Sequence, residues 1–257
     1  MSKYNVPALE KSIAILNLIA TPQKNYSVTE VHRELGISKT TVFSILKVLE
    51  EYDIVKKNDH GEYKIGVKLY ELGMAYISEV DIVKVARSHL EKLMEITGYT
   101  VHLGVLDEGE LLYVDKVEPN TFIRFSTYPG LRSEFHITSL GKVIAAYLDE
   151  DELNNIIAAK GLTKHTPNTI TDLKEFKQVL LKIRERGYAI EDEEGEIGVK
   201  CLGAPVFNGR KVVASVSVVG HSSMLDVWNV DLINRLQNTA GNISKELGAQ
   251  KINQDKF

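Results

Sequence analysis

A single cysteine, Cys201, stands in 257 residues. No intrachain disulfide can form, and a reducing cytoplasmic compartment is the expectation. No apolar run approaches the roughly 18–20 residues of a membrane-spanning helix. The opening MSKYNVPALE lacks the charged-then-apolar layout of a secretory leader, so no membrane partner is expected. The seven histidines are scattered, with no His-x-x-x-His spacing and no cysteine pair, which leaves no metal-ligand pattern. No glycine-rich phosphate loop joins a strand to a helix, which argues against a dinucleotide fold. No cofactor is therefore expected. Internal repeats and low-complexity tracts are absent as well.

What is present suits a globular chain of one large domain or two unequal ones, with 44% hydrophobic and 26% charged residues. The net charge of −4 is unevenly spread. Residues 1–73 carry ten Lys and Arg against nine Asp and Glu, which leaves the acidic excess to the remainder. A near-neutral head on an acidic body suits specific, dimer-assisted DNA binding better than a general polyanion coat.

Helical periodicity opens the chain. Pro7 suits a first turn, and Leu9, Ile13, Leu16 and Ala20 recur on one face, the expected core stripe. Ile15 and Leu18 lie off it, so the helix is either buried all round or carries a second apolar face for another subunit. Thr21–Tyr26 reads as a loop. Ser27-Val28-Thr29-Glu30 is a capping box, and Val28, Val31 and Leu35 should point inward from the helix that follows. Gly36 supplies a turn, and Ser38 caps a helix whose core stripe is Val42, Ile45, Leu46 and Leu49. Ile54–Lys57 and Glu62–Ile65 flank the turn Asn58-Asp59-His60-Gly61 as a hairpin. A connecting helix over 67–80 follows, with Leu69, Leu72 and Ala75 or Tyr76 as its stripe. Asp81 then caps another helix bearing Ile82, Ala86, Leu90, Leu93 and Thr97.

From Gly98 the period becomes two. Strands are expected at Val101–Val105, Leu111–Val117, Phe122–Tyr128, Tyr188–Glu191, Val199–Phe207 and Lys211–Val219. Helices are expected over 139–148, 150–160, 172–186 and 227–247. Antiparallel pairs with helices before, between and after them predict an α+β fold. The division is a winged helix-turn-helix over 1–66, a connecting helix over 67–80 and a sensor domain over 81–257.

The order helix, helix, turn, helix, hairpin is that of a winged helix-turn-helix. With Val42 at 0° and 100° per residue, Thr40, Ser44 and Lys47 fall at about 140–200°, opposite the core stripe, with Phe43 on the flank. Gly36–Leu49 contains no acidic residue, as a surface facing phosphates requires. Ser38, Lys39, Thr40, Thr41 and Ser44 are candidates for phosphates or base edges, and Lys47 for the backbone. Lys56, Lys57 and Lys64 put three cations on or beside the hairpin. A solvated helix in a protein-interaction adaptor is the alternative.

The runs VPALEKSIAILNLIA, LGISKTTVFSILKVLEEYDIVKKNDHGEYKIG and KLYELG resemble the IclR family of bacterial transcription regulators. HITSLGKVIAAYL, GLTKHTPNTITD, RERGYAIEDEEGEIGVKCLGAPVFNG and VVASVSVVG extend the resemblance from about Val6 to Leu247. It implies a winged-helix DNA-binding domain, a GAF-like antiparallel-sheet effector domain, homodimers that often pair into tetramers, operator DNA as a partner and control by a small organic acid. Family members often carry a basic residue where this chain has Ser44, so their base contacts are not carried over there.

Ser139-Leu140-Gly141 opens a predicted helix whose amides could receive a carboxylate, and Ser215 and Ser217 alternate on the late strand. The resemblance places effector contacts at Ser139, Leu140, an acidic side chain at Glu191 or Asp192, Val199, Cys201, Ser217 and Ser222. Each residue also has a structural reading. Ser139 reads as a helix N-cap, Glu191–Glu196 as a solvated acidic loop, Cys201 as a small buried residue, and the serines as fillers of a strand face. Cys201 with His136 would be the pair for a thiol enzyme, but no oxyanion arrangement accompanies them. A nucleotide-binding GAF-like sensor would have to use Arg124, Arg132 or Lys142.

Overall fold

The structure, a computed structural model, describes residues 6–21, 24–79, 81–122 and 124–248, with backbone alone at 74–79 and 81. The chain forms two compact units, Met1–Val80 and Asp81–Phe257.

The first unit is built from α1 (Pro7–Ile19), α2 (Val28–Leu35), α3 (Lys39–Glu51), a hairpin of β1 (Val55–Lys57) and β2 (Tyr63–Ile65), and α4 (Val67–Glu79). Its local signals fold as their chemistry dictates. The Ser27 amide donates to Glu30 Oε2 at 2.9 Å, and the Glu30 amide returns to Ser27 Oγ at 3.3 Å, closing the reciprocal cap. Gly36 ends α2 at φ 67°, a conformation only glycine adopts cheaply. Ser38 Oγ accepts the Thr41 amide to start α3. Asn58 Oδ1 takes the amides of His60 and Glu62 and so ties the hairpin turn.

The core of this unit is Ile15, Ile19, Tyr26, Val31, Val42, Leu46, Leu49, Val55 and Tyr63, with Ile45 packed against it. The stripe expected for α1 is therefore wrong. Ile15 and Ile19 are buried, while Leu9 and Ile13 are half exposed and Ala20 is exposed. Counting from Pro7 followed the longer of two apolar stripes, and only packing against α2 and α3 selects the other. The connecting helix behaves similarly. Leu72 of its expected stripe is exposed, and the side chains of Ala75, Tyr76 and the proposed cap Asp81 lie outside the described residues, as does Pro22 of the first loop.

The second unit begins with α5 (Asp81–Thr97), followed by β3 (Thr100–Asp107), β4 (Glu110–Val117), β5 (Arg132–Glu134), a 3-10 turn (Phe135–Ile137) and α6 (Ser139–Ala145). Then come α7 (Glu150–Lys160), α8 (Leu173–Arg186), β6 (Ala189–Asp192), β7 (Val199–Asn208), β8 (Lys211–His221) and α9 (Val230–Glu246). The six strands form one antiparallel sheet in the order β5-β4-β3-β8-β7-β6. α5 and α9 pack against each other and the sheet, and α6 packs on β7, β8 and β3. α6 and α8 share a second core around Phe135, Val143, Phe176, Leu180 and Ile183.

One expected strand is absent. The described residues of Phe122–Tyr128 form no strand, and β5 lies later at Arg132–Glu134, paired with Leu112–Glu110. The segment's aromatic and β-branched content suits a strand, yet its described residues join no ladder, and strand propensity expresses itself only through pairing.

Candidate nucleic-acid interface and ligand site

α3 presents Ser38, Lys39, Thr40, Ser44 and Lys47 to solvent, with Thr41 partly covered and Phe43 exposed beside them. Val42, Leu46 and Leu49 hold the opposite face in the core. The Thr41 hydroxyl is engaged by Ser38 Oγ at 2.8 Å. Lys47 pairs with Glu50 at 2.9 Å, the first carboxylate after the stretch free of acidic residues. That exposed pair is held weakly enough for the ammonium to exchange partners.

On the hairpin, Lys56 lies directly opposite Lys64, and Lys57 opposite Tyr63. All three lysines are exposed. Among the described residues no carboxylate pairs with Lys39, Lys56 or Lys64. Two like charges set across a ladder cost stability, and a phosphate between them removes the cost.

The effector candidates divide. The sheet face under α6 gathers most of them. A Cβ on Gly203 would lie 2.8 Å from the Ser139 carbonyl, so α6 rests directly on the sheet at that point. Gly203 pairs with Ser217, and Ser217 with His102 on β3. Cys201 pairs with Glu191 on β6 and with Val219 on β8. Ser139, Leu140, Glu191, Ser215 and Ser217 are all buried.

Four assignments need correction. Thr138, not Ser139, is the N-cap of α6, accepting the Gly141 amide on its hydroxyl at 3.0 Å. The Gly141 amide is thereby occupied, and the Phe135 backbone fills the space where a Gly141 side chain would stand. The acidic run is not a solvated loop throughout, because Glu191 and Glu194 are buried. Ser215 is spent on structure, donating to the Leu140 carbonyl at 3.0 Å. Between the two acidic alternatives the fold chooses Glu191. Its neighbour Asp192 turns outward to Lys200 at 3.0 Å, as strand alternation requires. Val199 and Ser222 are partly covered near the ends of their strands, where the Ser222 amide bonds the Gly198 carbonyl.

Electrostatics set the protonation of the cluster. Burial raises the Glu191 carboxyl above the usual range, opposed by the Cys201 thiol, by Lys142 and by the amides of Glu194 and Gly195. Glu191 Oε1 accepts those amides at 2.7 and 3.2 Å. Burial, with Glu191 alongside, also pushes the Cys201 thiol well up, so it is a donor here and not a thiolate. His136 lies apart from Cys201 in its bonding, with Nε2 2.9 Å from the Thr163 carbonyl.

Sequence reading missed His102, Tyr113 and Thr127. His102 is buried, its Nε2 lies 2.7 Å from Thr127 Oγ1, and its ring meets Tyr113 edge-on at 5.1 Å. Desolvation drops its pKa to about 3. The alternation Val101, Leu103, Val105 already put His102 on the other side of the sheet. What was unreadable is that this side is also covered. The three cations considered for a nucleotide are all taken, Arg124 by Glu118, Arg132 by Asp107 and Glu110, and Lys142 by Glu194. No group of three or more His, Cys, Asp or Glu among the described residues is placed to hold a metal. No described helix is long and apolar enough to cross a membrane.

A helix-turn-helix with a basic hairpin, followed by an antiparallel-sheet unit with a buried polar cluster under one helix, defines a DNA-binding regulator with a ligand domain. Comparison with known proteins agrees. The IclR helix-turn-helix domain matches residues 8–59, and the domain described as bacterial transcriptional regulator IclR C-terminal matches residues 74–245. The chain is similar to the HTH-type transcriptional regulator XynR of Escherichia coli, 33% identical over 248 residues, covering 95% of this chain and 98% of XynR. The crystal structure of Thermotoga maritima IclR shares 35% identity at a TM-score of 0.80, covering 93% of this chain and 98% of that one. An IclR homolog from Microbacterium hydrocarbonoxydans, crystallised with 4-hydroxybenzoate, has the same fold at 18% identity and a TM-score of 0.85, covering 94% and 99%.

This chain belongs to the IclR family. It is a helix-turn-helix DNA-binding transcription regulator with a C-terminal ligand-binding domain.

Proposed function

We propose that the outer face of α3 reads operator DNA through Ser38, Lys39, Thr40, Thr41, Ser44 and Lys47, with Lys56, Lys57 and Lys64 of the hairpin gripping the flanking backbone. We propose further that a small organic acid, bound on the sheet face beside the N-terminal end of α6, changes operator affinity. The observation that carries the ligand reading is the convergence of Ser139, Ser217, Glu191, Cys201, His102 and Tyr113 on one buried sheet face.

The amides of Ser139 and Leu140 find no acceptor among the described residues, which suits a carboxylate. Burial raises both the Glu191 carboxyl and the Cys201 thiol, which favours their protonated, hydrogen-donating forms beside an anion. The 4-hydroxybenzoate held by the Microbacterium homolog is an acid of this class. The protein works in the cytoplasm as a regulator and not as an enzyme. It acts as a homodimer or tetramer, supported by the exposed Leu9 and Ile13 of α1. Two heads would then read half-sites about one helical turn, roughly 34 Å, apart.

The test is a gel-shift titration of an operator fragment, selected from random duplexes, against a panel of small carboxylates. The unaltered protein should show an affinity change of about 5–150-fold with an acid that binds it. Ser139→Leu should abolish that change while keeping DNA affinity. Thr40→Ala with Lys47→Ala should weaken DNA binding and keep ligand binding. Operator affinity indifferent to every acid that binds would overturn the proposal.

A further inference from the structure

Strand β4 changes the side of the sheet its residues face partway along. Leu111, Leu112 and Tyr113 pair with Leu106, Val105 and Gly104, but Asp115, Lys116 and Val117 pair with Leu103, His102 and Val101. Val114 is one residue too many, a β-bulge, and a bulge re-aims every side chain beyond it. In an uninterrupted strand Tyr113 and Asp115 would share a face. Here Tyr113 meets His102 under α6, whereas Asp115 reaches Arg87 of α5, which packs on the other side. Lys116 is sent back toward the ligand side, where its Nζ donates to the carbonyls of Phe125 and Thr127 at 2.8 and 3.0 Å.

Three adjacent stations thus lie on one bulged stretch. Tyr113 belongs to the polar cluster, Lys116 holds the segment that also supplies Thr127 to His102, and Asp115 faces the opposite layer. Asp115 is buried, and its Oδ1 accepts Arg87 Nη1 at 2.9 Å and the Lys116 amide at 2.8 Å. Arg87 Nη1 also reaches the Lys116 carbonyl at 3.4 Å, and its Nε bonds Glu91 one turn along α5 at 2.7 Å. Arg87 therefore grips both the side chain and the main chain of the bulge and fixes them to the helix by which the chain enters this unit.

We propose that the Arg87–Asp115 ion pair is the output contact of the ligand site, carrying a shift of Tyr113 or of the Phe125–Thr127 segment through the bulge to α5. Arg87 and Asp115 are positioning residues and touch no ligand. The inference rests on the ligand site proposed above, yet the contact is testable without a ligand. Hydrogen exchange of α5 amides in the full-length protein is the readout, with α9 as the internal reference for global stability.

Thr127→Val removes the hydroxyl facing His102 and leaves the backbone intact. In the otherwise unaltered protein it should speed α5 exchange by about threefold or more and leave α9 unchanged. In the Asp115→Asn background, which keeps shape and loses charge, the same change should alter α5 by less than about 1.5-fold, the signature of coupled sites. Arg87→Gln, at a half-exposed position, gives the same background if Asp115→Asn fails to fold. Arg87→Lys should restore part of the response. Equal acceleration with and without the ion pair, or no acceleration in the unaltered protein, would overturn the proposal. Failure of the ligand reading would show separately, as carboxylates that bind without changing operator affinity, and would leave the exchange result standing.

Discussion

Removing the Lys142 ammonium should unlock the loop that follows Glu191. Lys142 is 1% exposed, and its Nζ bonds Glu194 Oε1 at 2.5 Å and the Ile190 carbonyl at 2.6 Å. The loop beyond Glu191 is held from its other side as well, because Thr166 and Thr169 hydroxyls donate to the Glu193 and Glu194 carbonyls at 2.6 Å each. Lys142→Met keeps the aliphatic stem and deletes the charge. A carboxylate is then left buried with its cation gone and its second oxygen already without a donor.

Breaking one side of a buried pair costs about 3–5 kcal/mol. At the lower figure the ligand unit should melt roughly 6–12 °C earlier. Adding Glu194→Gln removes the stranded charge, and the double variant should recover at least about half the loss, since an intact buried pair contributes far less than breaking it costs. Thermal and urea unfolding of the two single variants and the double, with circular dichroism, measure this cycle. A Lys142→Met loss under about 1 kcal/mol, or a double variant as unstable as the single, would refute the argument that Lys142 is there to neutralise Glu194.

The remaining predictions concern pH, close packing and salt. His102 titrates near 3 in the folded chain against about 6.5 unfolded. The unfolded state therefore takes up a proton first, and stability should fall as pH drops below about 6.5, by about 1.4 kcal/mol per unit until the folded value is reached. Urea midpoints from pH 7 to 5 should show this slope, and His102→Asn should flatten it; an unchanged slope would place the loss elsewhere. Gly203→Ala drives a methyl to 2.8 Å from the Ser139 carbonyl, and should cost about 1–3 kcal/mol and weaken ligand binding. Unaltered melting would mean that α6 lifts freely. Lys56→Ala with Lys64→Ala should lower operator affinity for all sequences alike and reduce the log–log salt slope by roughly 2. A slope that does not move would take the hairpin off the DNA.

Much of the first unit was legible because its signals are local. The Ser27–Glu30 box, the Gly36 turn, the Ser38 cap and the Asn58–Gly61 hairpin each act within four or five residues, and each formed. The α3 face was legible too, since one periodic stripe fixes both the dry and the wet side. The α1 stripe failed where two apolar faces compete, because sequence spacing does not say which neighbour arrives. The segment at 122–128 failed for a related reason, that a strand exists only where its backbone pairs, which composition does not report. Of the effector candidates, Ser139, Leu140, Glu191, Cys201 and Ser217 share one sheet face under α6, whereas Asp192 turns to Lys200, Ser215 donates to the Leu140 carbonyl and the Gly141 amide bonds Thr138.

In the first unit, residue spacing and near-neighbour chemistry sufficed for the element order, the caps and turns, and the face of α3 that can meet a polyanion. Strand pairing was needed to turn Glu191 in and Asp192 out, to bring His102 and Tyr113 into the polar cluster, and to send Asp115 to α5 through a one-residue bulge. Those outcomes depend on which strands pair and in what register, and a shift of one residue moves a side chain to the opposite side of the sheet.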